Sequence, residues 1–448
     1  MAVQVTSNLT AQERVAEGLA ARDHQPPADL GAWDPQARGH DALETILAQE
    51  LIRQEGLLPI RHGRMCASPW TYYRGAAAVA AADLGSRPNS GLTVQLCGDA
   101  HILNFGLWAT PERNLSFDLR DFDETLPGPF EWDVCRLVAS VVVLARDAGL
   151  KQAVADRAVS ACLASYRLRM AGYSTAKQLD IWYDKVTVDD LIGVFSTADQ
   201  KRASKLIAKS AAKKTSVGAA KKLTERVDGG WRITEEPPIR THLEAFAAEE
   251  VYRAYRDSLD EDRRHLLDRF AAVDGVQQIV GVGSVGMRVY LVLLNGRHDN
   301  DPLFLQIKQA GPSVYEPFCG ASVHRNQGQR VVVGQRLIQS ATDIFVGWTT
   351  ALGHDFYVRQ FRDMKVIADA EVLAPRLTEF ATACGGVLAR SHARSGDPIA
   401  INAYIGKGRK FDEALGQFAV AYADQTVMDH EQLVAAVRSE EIPSAPGW

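Results

Sequence analysis

Two short segments carry the residues best suited to chemistry. Cys97-Gly98-Asp99-Ala100-His101-Ile102-Leu103-Asn104 offers a carboxylate at Asp99 and, five residues on, the amide of Asn104. The segment Phe117–Thr125 then supplies Asp118, Asp121, Asp123 and Glu124. Both clusters follow short apolar runs, which places them at strand ends where side chains can converge on a cleft. Phosphoryl transfer asks a protein for a carboxylate that orients a hydroxyl and for oxygen ligands that hold magnesium on phosphates. Magnesium in turn favours a few carboxylates and amides plus water. Asp, Asn and Gly are also ordinary turn residues, and it is the two clusters together that favour chemistry. A Cys97–His101 metal pair is the weaker reading of His101, and a histidine bracing the loop is the stronger one.

A second constellation lies far downstream. Gly281-Val282-Gly283-Ser284-Val285-Gly286 is a G-x-G-x-x-G. A dinucleotide fold needs a helix after these glycines, but the β-branched, alternating MRVYLVLL follows. That suits a strand–glycine turn–strand lying over phosphates, as in kinases. Lys308 sits inside the apolar strand LFLQIKQA. A lysine there needs an anionic partner, and a nucleotide phosphate is the natural one. Glu316 is the nearest carboxylate that could hold it, with Gln335 as the alternative.

The positioning elements are read from periodicity. Residues 41–56, 72–84, 131–174 and 240–273 have helical apolar spacing. Residues 201–226 form a basic stretch, read as a solvated helix face. Residues 92–97 form a short buried strand. Residues 277–296 alternate as a β arm closed by the turn signal Asn295-Gly296, with 302–310 as the partner strand. A helix is expected near 322–340, strands at 342–348 and 354–361, and helices from Pro375 onward. The chain is thus α+β in four parts. These are an N-terminal arm (1–38, loosely held), a helical lobe with the catalytic and metal-binding loops (39–270), a β-rich nucleotide-clamping lobe (271–365), and a helical segment completing the large lobe (366–448).

The pattern H-G-D-x-H-x-x-N followed by I-D-F-D belongs to aminoglycoside phosphotransferases and choline kinases, and CGDAHILNFG with LRDFDET resembles it. Together with RMCASPWTYYRG, GPFEWD, GVGSVGMR and LARSHARSGD, these segments resemble the bacterial domain-of-unknown-function 2252 family over roughly residues 40–430. The resemblance implies a kinase-like two-lobe fold using ATP and Mg2+. Asp99 would be the catalytic base, Asn104 and Asp121 metal ligands, and Asp123 an assisting ligand. Gly281, Gly283, Ser284, Gly286 and Lys308 would hold the nucleotide, with Glu316 beside them. His101 and Asp133 would brace the catalytic loop, and 357–361 would be the hinge. The catalytic-type loop precedes the glycine loop, the reverse of an ordinary kinase, so the implied fold is circularly permuted. Permutation is tolerated where the new termini lie at the surface. Cys97 stands where kinases have histidine.

Composition bounds the rest. The chain has 448 residues, 46% hydrophobic and 23% charged, the balance of a globular protein. A net charge of -5 argues against a nucleic-acid partner. The six cysteines form no C-x-x-C, which argues against a disulfide framework or structural zinc. No signal-peptide core and no membrane-length apolar run are read, so a cytoplasmic location without a membrane partner is expected. The expected activity is ATP- and Mg-dependent phosphotransfer to an unidentified hydroxyl acceptor, a small molecule before a protein. The alternatives are nucleotidyl (AMP) transfer to protein hydroxyls and a non-catalytic, pseudokinase-like nucleotide sensor. Arg74 could reach the cleft or serve helix packing. For His392 and Arg394 a helix-end role is preferred over one facing the cleft.

Overall fold

The structure is a computed structural model and describes residues 9–195, 197–228, 230–242, 247–298, 301–361, 364–366 and 370–445. The first eight residues of the expected arm lie outside the described residues. The rest of that arm is not loose. Helix α1 (Ala11–His24) starts at a capping box of Thr10 and Glu13, which satisfies its first free N–H groups, and Arg14 ties it to Asp397. Helices α2 (Ala42–Glu50), α3 (Leu58–Cys66), α4 (Pro69–Gly75) and α5 (Ala77–Gly85) follow. The single helix expected over 72–84 is two, because the backbone of Ala76 leaves the helical region between them.

Strands β1 (Thr93–Leu96), β2 (Phe105–Ala109), β3 (Leu115–Leu119) and β4 (Leu126–Pro129) pair antiparallel as β1 with β4 and β2 with β3. Helix α6 (Phe130–Asp147) is buried on nearly every side, which is how an all-round apolar helix must sit. It packs with α7 (Gln152–Tyr173) and, further on, with α9 (Leu377–Ser395) and α11 (Lys410–Arg438). Valines such as Val141 and Val142, fully buried, each contribute about 1.5–3 kcal/mol relative to exposure. Two helices, Thr197–Lys213 and Ser216–Leu223, carry the basic stretch. Lys201, Lys205, Lys209, Lys213, Lys221 and Lys222 are exposed there, forming a solvated face.

The second body is a six-stranded antiparallel sheet. Its strands are β5 (Arg240–His242), β6 (Ala271–Gln278), β7 (Val289–Asn295), β8 (Pro302–Ala310), β9 (Gly347–Ala351) and β10 (His354–Gln360), in the order β9-β10-β8-β7-β6-β5. Side chains alternate across it as strand geometry requires. Leu291, Leu293 and Phe304 pack on Ala219, Leu223 and Ile233. Tyr290, Val292, Leu305 and Ile307 pack on Tyr255 and Leu259 of the helix Ala247–Ser258. Residues 240–242 and 247–267, expected in the helical lobe, therefore belong with the sheet, and 240–242 are strand rather than helix. The strand expected at 342–348 begins only at Gly347, because Asp343 turns the chain before it by accepting from the N–H of Phe345 at 2.9 Å. Helix α8 (Gln327–Ile338) lies against β8, β9 and β10. Helix α10 (Pro398–Ile405) joins α9 to α11. The architecture is α+β. All six cysteines are free thiols, and among the described residues no helix is long and apolar enough to cross a membrane.

Candidate functional site

The loop after β1 is held from behind. Asp133, in the first turn of α6 and fully buried, accepts from the backbone N–H of Cys97 at 2.7 Å and of Gly98 at 3.0 Å. Gly98 has φ +85°, and a Cβ there would come within 2.3 Å of the Glu124 carbonyl oxygen, so only glycine fits. His392 stands behind Asp133, with Nε2 at 3.4 Å from Oδ2 and Nδ1 at 2.8 Å from the hydroxyl of Tyr166. His392 therefore braces the brace. Arg394 faces away from the cleft, over Trp182 and donating to the Leu337 carbonyl at 3.0 Å.

Asp99 is thereby presented to a cleft of about 270 Å³ between the two bodies. Its Oδ1 accepts from Arg136 Nε at 2.8 Å and lies 2.7 Å from Nη2 of the same guanidinium. Burial pushes the carboxyl up, and Arg136 opposes that shift. Asn104 donates Nδ2 to the Asp99 carbonyl oxygen at 2.6 Å, which closes the loop and leaves its Oδ1 as the remaining acceptor. His101 lies with Nε2 at 3.8 Å from Asp99 Oδ2, edge-on to Trp70. Burial, and then the charges of Arg74 and Arg136, hold His101 well below its usual range, so it is a neutral wall. Burial likewise pushes the Cys97 thiol well up, and its Sγ donates to the Asp121 carbonyl oxygen at 3.3 Å.

Across the cleft β8 delivers Lys308, 2% exposed. Its partner is neither Glu316 nor Gln335. The ammonium bonds Asp123 Oδ2 and lies 3.8 Å from Asp121 Oδ1. Tyr357 donates to the other oxygen of Asp123 at 2.7 Å. Glu316 instead accepts from Ser313 N–H and Gln327 at the start of a short helix outside the cleft. Gln335 lines the cleft but donates to Gln339. Helix α8 contributes a cation, Arg330, which donates to the carbonyl oxygens of Asp123, Thr125 and Gly311. It thus ties the Asp121–Asp123 turn to the end of β8.

Burial works against the charge of Asp121, yet Lys308, Arg359 and Arg120 hold it well below the usual carboxylate range. Its Oδ1 is buried without a hydrogen-bond partner. Among the described residues no three His, Cys, Asp or Glu side chains group to hold a metal by themselves. A magnesium ion in a nucleotide cleft needs only one or two protein carboxylates, with phosphate and water supplying the rest. The orphan oxygen of Asp121 and the remaining acceptor of Asn104 fit that donor set. Asp123 fits it only when Lys308 lets go.

The glycine segment lies between β6 and β7 as a turn, not before a helix. Gly281, Gly283 and Ser284 line the cleft; Gly286 does not. Gly286 has φ +92° and turns the chain against the side chain of Arg53. The turn is pinned to the helical body. Arg53 donates to the Val285 carbonyl at 2.5 Å, Arg64 to that of Val280, and the Gln54 N–H to that of Gly286 at 2.8 Å. Val282 is buried among Met65, Tyr72 and Val79. From the 357–361 segment, Arg359, Gln360 and Phe361 line the far end of the cleft, beside Trp108, Asp343 and Lys365.

Glu124 lines the cleft and accepts from the Val314 N–H at 2.9 Å. Burial pushes it up to about 7. An acid whose folded value lies above its ordinary 4.5 binds more protons folded than unfolded between those two values. Stability should therefore fall as pH rises through that window. Glu124→Gln is expected to flatten this part of the stability–pH curve in urea melts. A wild-type-minus-variant difference constant across the window would remove Glu124 as its source.

Sequence reasoning missed Arg120, Arg136, Arg330, Arg359 and Lys365. Arg136 had a signal, since it stands three residues after Asp133 and shares its helix face. Arg330 had one too, as a charge beside the apolar run VVV. Nothing local marked the other three.

A family model described as "Uncharacterized protein conserved in bacteria (DUF2252)" matches residues 53–436. No curated protein and no solved structure matches the chain.

Proposed function

The chain belongs to the bacterial DUF2252 family, and from that premise we propose that it is an ATP- and Mg-dependent phosphotransferase of kinase-like, circularly permuted fold that acts on a hydroxyl acceptor. One observation carries the reading: Lys308 meets Asp123, 185 residues away in the chain, and its neighbour Asp121, at the cleft that also holds Asp99 and the glycine turn. Kinases combine a glycine turn between strands, a lysine on the third strand, a following helix, a catalytic aspartate with an asparagine five residues on, and a metal-binding aspartate. The same parts occur here, with the second group earlier in the chain than the first. Two departures accompany them. Helix α8 supplies no carboxylate to the lysine, which Asp123 holds instead. The glycine turn is fastened to helices α2–α4.

In this reading Asp99 orients the acceptor hydroxyl through Oδ2, the oxygen that Arg136 leaves free, and takes its proton. The upward push of burial on Asp99 moves it toward the range where a base works near neutrality. Asn104 and Asp121 would hold magnesium, which when bound neutralises charge on the phosphate oxygens. Lys308 and the N–H groups of the glycine turn would hold the phosphates.

A ligand that binds only the native state stabilises it, by about 2.7 kcal/mol at a hundred times Kd. Mg-ATP is therefore expected to raise the melting temperature, and Asp121→Ala to remove the magnesium-dependent part of the rise. An unchanged melting curve at saturating Mg-ATP would end the nucleotide reading. Mass analysis of products then separates phosphate from AMP transfer.

A further inference from the structure

Three arginines of the helical body approach the glycine turn. Two are engaged with it: Arg53 on the Val285 carbonyl and Arg64 on the Val280 carbonyl. The third, Arg74 at the end of α4, lines the cleft, but its side chain has no hydrogen bond or ion pair with any described residue, and its Nε is buried without a partner. Its guanidinium lies 5.9 Å from the ring centre of Trp70. A buried guanidinium donor without an acceptor is costly, and a planar fork of donors suits phosphate oxygens.

The position of Arg74 is built rather than incidental. Helix α4 begins at a capping box of Ser68 and Thr71. Arg136 stacks on Tyr73 at 4.1 Å and donates to its carbonyl at 2.8 Å, while the same guanidinium holds Asp99. Asp99 and the residue before Arg74 are thus fixed by one group. On the other side, a Cβ on Gly283 would lie 3.3 Å from the Arg74 carbonyl oxygen, so the end of α4 touches the glycine turn. The anions acting on Arg74 are Asp99 and Asp121, while the cations Arg64 and Arg120 also lie within its reach. It therefore stands at the reacting end of the cleft, among the base, the metal-binding carboxylate and the phosphate-holding turn.

We propose that Arg74 binds the terminal phosphate of the nucleoside triphosphate, an arginine clamp supplied from a helix that precedes the catalytic loop. The inference rests on the phosphotransferase reading and adds a residue that the resemblance does not assign. A clamp on the terminal phosphate distinguishes triphosphate from diphosphate, so the test compares Mg-ATP with Mg-ADP by calorimetry. Wild-type protein should bind Mg-ATP more tightly, and a charge-assisted bond of this kind makes the expected preference about tenfold or more. Arg74→Ala should bring the two affinities to within about twofold by weakening Mg-ATP alone. Arg74→Lys, which keeps the charge but loses the fork, should fall between them. Retained Mg-ADP binding shows that each variant is folded. If Arg74→Ala keeps the wild-type preference, or weakens both nucleotides equally, the clamp is wrong while the nucleotide reading stands. If wild-type protein binds neither nucleotide, the reading fails and the clamp with it.

Discussion

Asp133→Ala is expected to lower the unfolding free energy by about 3–5 kcal/mol, the range for breaking a fully buried charged network. Its carboxylate is the acceptor for two backbone N–H groups, those of Cys97 and Gly98, and it faces His392. Asp133 has no exposed surface, and each buried donor left without a partner costs about 1–3 kcal/mol. Asp133→Asn keeps the shape but turns an N–H toward one of the two backbone donors, so it should recover only part of the loss. Urea melts measure both. Stability of Asp133→Ala within about 1 kcal/mol of wild type would mean that the loop is held some other way.

That brace explains what could be read from the residues alone. The order of helices and strands followed from periodicity, and the two acidic clusters from the density of Asp, Asn and Gly after apolar runs. Asp133 was found through resemblance, and its two hydrogen bonds supply the physical reason for an aspartate there. Strand β5 was missed because three residues carry too little alternation to register against the helical pattern around them. The misassigned lobe boundary has the same origin. Tyr255 and Leu259 have helical spacing, and nothing local says that the face they cover is a sheet rather than another helix. The partner of Lys308 was sought nearby in sequence, at Glu316, whereas the carboxylate that holds it comes from 185 residues upstream. Ion pairs between distant segments leave no periodic trace. Arg359 was hidden for that reason, since its bond to the Arg120 carbonyl oxygen forms only once the two bodies meet.

The Lys308 pair also gives the last and most discriminating expectation. Lys308→Met should destabilise the protein at neutral pH by about 2–3 kcal/mol, less than the 3–5 typical of a fully buried pair, because Asp121 and Asp123 keep 30% and 29% of their side-chain surface. The sign follows from Asp121. Lys308 helps hold its folded value below the ordinary 3.8, which gives stability that is present above that value and lost as pH falls through the folded one. Without the lysine, two carboxylates face each other with Arg359, Arg120 and Lys365 as the cations left to offset Asp121, and the variant should regain ground on wild type as pH is lowered. Lys308→Met combined with Asp123→Asn removes both members and should recover more than half of the neutral-pH loss, a non-additivity that contact residues show and distant ones do not. On the phosphotransferase reading the same lysine must pass from Asp123 to a phosphate oxygen when nucleotide enters. Asp123→Asn, which lets Lys308 go in advance, should then leave Mg-ATP binding intact or stronger, while Lys308→Met weakens it by about tenfold or more. Additive stabilities in the double variant would separate the two side chains energetically. Equal losses of Mg-ATP binding in both single variants would make Asp123 a ligand in its own right rather than the lysine's resting place.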